Sequence, residues 1–146
     1  MTLVTDVAGL DLARLLRPGD RIVMGQACGE PTTLVEALIA QGKDIGGLSA
    51  FIATSFSGLF TPGTAASFAL SSMGAIGALR GMTKAGKLAV IPAHVSQIGP
   101  MITAGIIGCD VAFIQVSPAD ENGNHSCGLI SDHARAAVDR ARVVIA

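Results

Sequence analysis

Aromatic side chains are scarce in this chain of 146 residues: five Phe, no Trp and no Tyr. That scarcity removes base-stacking platforms and most sugar-binding platforms, and it calls for an aliphatic core of Ala, Val, Ile, Leu and Gly. Excess charge is missing too. Ten Lys and Arg stand scattered against eleven Asp and Glu, so no extended nucleic-acid surface is expected. Cysteine occurs only at Cys28, Cys109 and Cys127, an odd number without C-x-x-C spacing. A disulfide framework or zinc knuckle is therefore not expected, whereas reduced thiols in a cytoplasmic protein are. No apolar stretch reaches the ~20 residues a bilayer span needs, because Thr103, Gly105 and Asp110 interrupt the greasiest region. The amino-terminal segment, with Asp6 and Asp11 and no basic stretch leading into an apolar run, does not read as a signal peptide. What is present is apolar mass: half the residues, enough to fill the core of one soluble domain.

Local patterns alternate between strand and helix. Leu12 to Leu16 reads as a short amphipathic turn closed by Arg17-Pro-Gly-Asp20, and Arg21 to Gly25 as a strand. Pro31 suits the first position of a helix, Leu34, Val35, Leu38 and Ile39 give that helix a buried stripe, and Gly42 is expected to end it. Strands are expected over Leu48 to Ala53, Ser67 to Leu70, Leu88 to Ile91, Asp110 to Val116 and Arg142 to Ala146, with Leu129-Ile130 briefly extended. Helices are expected within Ser96 to Gly105 and over Ser131 to Arg140, the latter capped by Ser131 or Asp132. The glycine-rich stretch Met73 to Gly86 has no clear assignment. The expected class is α/β: a largely parallel open sheet with flanking helices.

Two strand ends point at a pocket, because ligands in open α/β sheets bind outside the carboxyl ends of strands. The strand from Asp110 delivers Gln115, Ser117 and Pro118 to its carboxyl end, where a polar turn begins. The segment Gly25-Gln-Ala-Cys-Gly-Glu-Pro31 joins the first strand to a helix start. It reads either as an ordinary βα turn or as a site for a carboxylate or phosphate. It is neither a Walker loop nor a dinucleotide fingerprint, since it lacks Gly-Lys-Ser/Thr and no G-x-G-x-x-G occurs. The chain has only three glutamates. Glu36 lies off the apolar stripe and Glu121 in a polar turn, which leaves Glu30 as the pocket candidate. Asp120, Asn122 and Asn124 imitate the opening of a calcium loop, but His125 replaces the Gly and Ser131 the closing Glu. His125 and His133 have no third ligand at convincing spacing, so no metal site is expected. Nor is there a Gly-x-Ser-x-Gly elbow.

Read together, these segments resemble the acetyl-CoA hydrolase/CoA-transferase family. The resemblance is carried by Gly25 to Pro31, by Arg80, Gly86, Pro92, His94, Ser96 and Pro100, by Asp110 to Pro118 and by Ser131 to Ala137. It implies a CoA-transferase/sugar-phosphate-isomerase-like half, the amino-terminal one of two around a cleft, with domain bounds 1–146. It further implies an acyl-CoA:carboxylate CoA-transferase or acetyl-CoA hydrolase working through a glutamyl-CoA thioester. The nucleophilic glutamate and most of the CoA contacts would belong to a carboxyl-terminal half, and this chain alone would be inactive. No cofactor is implied beyond coenzyme A as a substrate. The partners implied are an acyl-CoA, a small carboxylate, the other half and further copies of the protein, with no nucleic acid or membrane. Gln26, Gly29, Glu30, His94, Gln115 and Ser117 are the substrate-binding candidates. Many relatives carry histidine where this chain has Gln26, which leaves hydrogen bonding there and puts proton transfer in doubt. Arg80, Lys84 and Lys87 fit either a CoA phosphate or a solvated loop. That the sequence stops within Val143 to Ala146 fits such an amino-terminal half. Two other classes stay open: a sugar-phosphate isomerase or sensor, with Thr54 to Thr64 as its phosphate loop, and a non-catalytic subunit that only binds a partner.

Overall fold

A computed structural model describes residues 9–146, so Asp6 lies outside the described residues. Six short strands form one parallel sheet: β1 (Arg21–Met24), β2 (Ser49–Phe51), β3 (Ala69–Ser72), β4 (Ala89–Val90), β5 (Val111–Phe113) and β6 (Val143–Ile145). Their spatial order is β4-β3-β2-β1-β5-β6. The chain therefore builds outward from β1 to one edge, crosses back, and resumes on the other side of β1 with β5. Such a reversal is the switch point of a doubly wound sheet, and it falls between β1 and β5. The register fixes that neighbourhood: Ile22, Val23 and Met24 stand beside Val111, Ala112 and Phe113.

Strand residues alternate between two cores, as the pleat requires. Ile22, Met24, Ala50, Ile52, Val111 and Phe113 face one cluster, with Leu34, Val35 and Leu38 from helix α1 (Thr32–Ile45) and Met82 from α2 (Arg80–Lys84). Val23, Phe51, Ala53 and Ala112 face the other, against Ile98 and Ile102 of α3 (Val95–Thr103) and Ala137 of α4 (Ala134–Arg140). Helices thus cover both faces. At the amino end of the sheet Arg21 clasps Asp110 with Nε at 2.7 Å and Nη2 at 2.9 Å, and Arg142 meets Asp20 at 2.7 Å.

Several elements depart from their expected bounds. Gly42 does not end α1, because its missing side chain lets the Phe68 ring lie where a Cβ would stand, 2.5 Å from the nearest ring carbon. The helix runs on to Gly46, whose φ of +84° suits only glycine in comfort. The strand expected over Asp110 to Val116 pairs only through Phe113, and that expected over Ser67 to Leu70 begins at Ala69 and runs to Ser72. Leu129 lies in a turn, and neither it nor Ile130 joins a strand. Neither Ser131 nor Asp132 caps α4, since His133 occupies the N-cap position and makes no side-chain cap bond. The last strand, expected over Arg142 to Ala146, covers Val143–Ile145 at the edge of the sheet, with Val144 42% exposed. Among the described residues no helix is long and apolar enough to cross a membrane.

Candidate functional site

The carboxyl ends of β1 and β5 open onto a crevice lined by Gly25, Gln26, Gly29, Ile114, Gln115, Ile130 and Ser131 to Ala134. Parallel pairing brings the two loops together: Gly25 N–H donates to the Phe113 carbonyl at 2.9 Å. Behind Gln26 the backbone turns through a 3-10 segment, Ala27–Gly29. Close packing demands glycine at Gly25, where a Cβ would lie 2.3 Å from the Gly29 carbonyl oxygen.

Gln26 is buried and its Nε2 donates to the Asp132 carboxylate, 106 residues along the chain. Ala27 (φ +51°) and Asp132 (φ +37°) flank that bond, and they are the non-glycine residues with left-handed backbone among those described. Strain of this kind persists only where the surroundings hold it, and here both instances border one side-chain contact. Next to Asp132, His133 is 2% exposed. Its Nε2 lies 2.9 Å from the Met24 carbonyl at the end of β1, and its ring meets Phe51 edge-on.

Glu30 faces away from this crevice, toward the loop after β2. It is 4% exposed and accepts four hydrogen bonds. The Ser55 and Ser57 hydroxyls donate to Oε1, both at 2.8 Å, and the N–H groups of Phe56 and Ser57 donate to Oε2 at 2.8 and 3.0 Å. A buried carboxylate without a cation is tolerable only when donors surround it in this way. Glu30 is thus a clamp between the β1–α1 corner and the β2 loop. The same bonds weaken the phosphate-loop reading of Thr54 to Thr64. The Ser55 and Ser57 donors already serve an internal anion, while Thr61 and Thr64 exchange bonds with one another.

The sequence candidates therefore separate. Gln26, Gly29 and Gln115 share the crevice. Ser117 is exposed and clasps the polar turn, where its Oγ accepts from Ser126 N–H at 3.0 Å. In that turn Asp120 Oδ1 accepts the N–H groups of Asn122 and Asn124 at 2.9 and 2.7 Å, which holds its carboxyl below the ordinary range. His94 does not reach the crevice. It follows β4 at the far edge, with β3 and β2 between it and β1, and its Nδ1 caps α3 by accepting from Ser96 N–H at 3.3 Å. Glu36 and Glu121 are exposed, as expected. Arg80, Lys84 and Lys87 sit around α2, on the β3–β4 side of the sheet. No group of metal-binding side chains occurs among the described residues. Cys109 is buried beside the Ala137 carbonyl, and burial pushes its thiol up to about 11. Sequence reasoning missed Ser55, Ser57, Asp132 and His133 as site-builders. Asp132 and His133 sit in a motif already singled out, but nothing local reveals that they meet Gln26 and Met24.

Comparison with known proteins agrees with this architecture. Over 128 residues the chain is 29% identical to the 4-hydroxybutyrate coenzyme A transferase of Clostridium kluyveri, which is 86% of this chain and 30% of that protein. Its fold is similar to RipA from Yersinia pestis, with a TM-score of 0.80 and 22% identity over 88% of this chain and 33% of RipA. The 4-hydroxybutyrate CoA-transferase of Porphyromonas gingivalis is similar at a TM-score of 0.65 and 21% identity, over 91% of this chain and 30% of that one. The chain thus spans about a third of the length of these relatives. Residues 8–146 match the acetyl-CoA hydrolase/transferase N-terminal domain, and with that match over nearly its whole length the chain belongs to the acetyl-CoA hydrolase/transferase family.

Proposed function

We propose that this chain serves as the amino-terminal domain of an acyl-CoA:carboxylate CoA-transferase or acetyl-CoA hydrolase, and that the crevice between β1 and β5 is one wall of its acyl or carboxylate site. The observation that carries this reading is the coincidence of the switch point with two amide side chains, Gln26 and Gln115, on a domain of this family. Their amides offer both donors and acceptors to a carboxylate or thioester carbonyl. Glu30 supports the wall from behind, and His94 and Ser117 stand outside it.

The reaction in this reading proceeds through a glutamyl-CoA thioester whose glutamate comes from a carboxyl-terminal half. All three glutamates here are poorly placed for attack. Glu30 spends both oxygens on four donors, and Glu36 and Glu121 lie in water. Coenzyme A enters as a substrate, and no other cofactor is invoked. Whether the glutamyl-CoA thioester yields its CoA to an acid or is hydrolysed by water depends on how well that second half excludes water. The partner half would also cover the carboxyl end of the sheet, where Phe56, Ile76 and Leu129, in the loops after β2, β3 and β5, are 71%, 50% and 92% exposed. A cytoplasmic, oligomeric enzyme fits this chemistry.

The test compares this chain with a protein that includes the downstream half, using acetyl-CoA and a set of carboxylic acids. Thioester exchange is expected only from the longer protein, with the short chain at background. Light scattering should show the short chain associating as concentration rises, since each exposed apolar Å² forfeits roughly 25 cal/mol of burial. Robust exchange by the short chain, lost in Glu30→Gln, would sink the two-half reading.

A further inference from the structure

One buried polar atom in the crevice is left without a partner among the described residues: Nδ1 of His133. Its role follows from its neighbour across the ring. Nε2 lies 2.9 Å from the Met24 carbonyl oxygen, which can only accept, so Nε2 carries the proton and Nδ1 is an acceptor in the neutral ring. The nearest charged group cannot satisfy it. Asp132 Oδ2 stands 3.6 Å away, too far for a direct bond, and a carboxylate is itself an acceptor. Two acceptors thus face each other across a gap that calls for a donor. Both residues line the crevice, whose cavity of about 10 Å³ admits one water-sized group. An acceptor so deeply buried is costly to leave unserved, which gives the site a reason to hold such a group.

We infer that the floor of the crevice binds an O–H donor, which gives its hydrogen to His133 Nδ1 beside the Asp132 carboxylate. The chemistry has two sources: a resident water, which can donate to both acceptors at once, or the hydroxyl of a hydroxy-acyl substrate. The second source rests on the acyl-site reading above, whereas the first does not. Gln26, already held by Asp132, and Gln115 flank the way in.

The test is a crystal structure of the protein at a resolution that shows single waters, at about pH 8. It is determined alone and after soaking with 4-hydroxybutyrate or butyrate as probes. An oxygen is expected about 3 Å from Nδ1 in the unsoaked crystal. If 4-hydroxybutyrate replaces it by its hydroxyl and butyrate does not, the substrate is the source. If it persists under both soaks, a resident water is. Either outcome upholds the O–H site. Three results overturn it: no oxygen at Nδ1, a butyrate carboxylate in its place, or His133 drawn into direct contact with Asp132. Failure of the enzyme reading would appear elsewhere, as absent thioester exchange by the longer protein, and would leave the oxygen at Nδ1 where it is.

Discussion

Toward β2, the turn after β1 meets Ser55, Phe56 and Ser57, and both oxygens of the buried Glu30 are saturated with donors. Toward β5, the same turn meets Asp132 and His133, and a buried ring nitrogen is left wanting one. The difference separates scaffold from candidate site. A fully bonded buried carboxylate locks two loops together and has nothing left to offer a ligand. An under-satisfied group beside strained backbone is costly in isolation and is the place where something else can bind.

Breaking the saturated side should give the largest effect on stability. Glu30→Ala strands two backbone N–H groups and two hydroxyls, and is expected to cost ~3 kcal/mol in urea unfolding, whereas Glu30→Gln costs ~1 kcal/mol because serine hydroxyls can turn to accept. Equal losses from the two variants would mean that the amide rescues nothing, so that the clamp depends on the carboxylate's charge and not on the side chain's shape or its remaining hydrogen bonds. Gly25→Ala comes next, at ~2 kcal/mol, because its Cβ would meet a backbone oxygen that cannot swing aside. Thermal unfolding measures it, and a neutral result would show that the turn between the two sides is looser than its packing implies.

On the unsaturated side stability should barely respond. Asp132→Asn keeps an acceptor for Gln26, so it should cost less than ~1 kcal/mol. In the longer protein the same variant should raise KM for acyl-CoA or the acid acceptor, and unchanged kinetics would detach Asp132 from the site. The smallest effect is expected far from both sides, at the amino end of the sheet. There Arg21 donates to Asp110 and holds its carboxyl down at about 2, below the ordinary 3.8. The folded value lies below the unfolded one, so the pair's contribution is present above about pH 4 and fades as pH falls through about 2. With the two side chains 53% and 32% exposed, water screens the pair to ~1 kcal/mol or less. Acid titration of the wild type against Asp110→Asn should show the two curves merging below about pH 2.

Much of this could be read along the chain. Leu34, Val35 and Leu38 recur at helical spacing, and the alternation of strand-like and helix-like segments announces an α/β sheet. Gly42 misled because glycine ends helices so often that its other use, making room for a ring, was invisible without Phe68. The candidate site was half legible. Gln26 and Gln115 stand at strand ends that meet, whereas His94 follows a strand end too and lies at the far edge of the sheet, away from them.

What sequence alone determined is whatever repeats within a few residues: the periods of helix and strand, the turn chemistry around Asp120, the polar corner after β5 and the family wording. What only the tertiary structure decided is which strand ends are neighbours. The chain visits β2, β3 and β4 before β5, yet β5 pairs with β1, and that choice brings Asp132 to Gln26 across 106 residues. Likewise Glu30 looks like a helix-start residue until β2 settles beside β1 and sets Ser55 and Ser57 around it. Strand order is set by burying both faces of one sheet at once. That is a property of the whole packed chain, and no local window contains it.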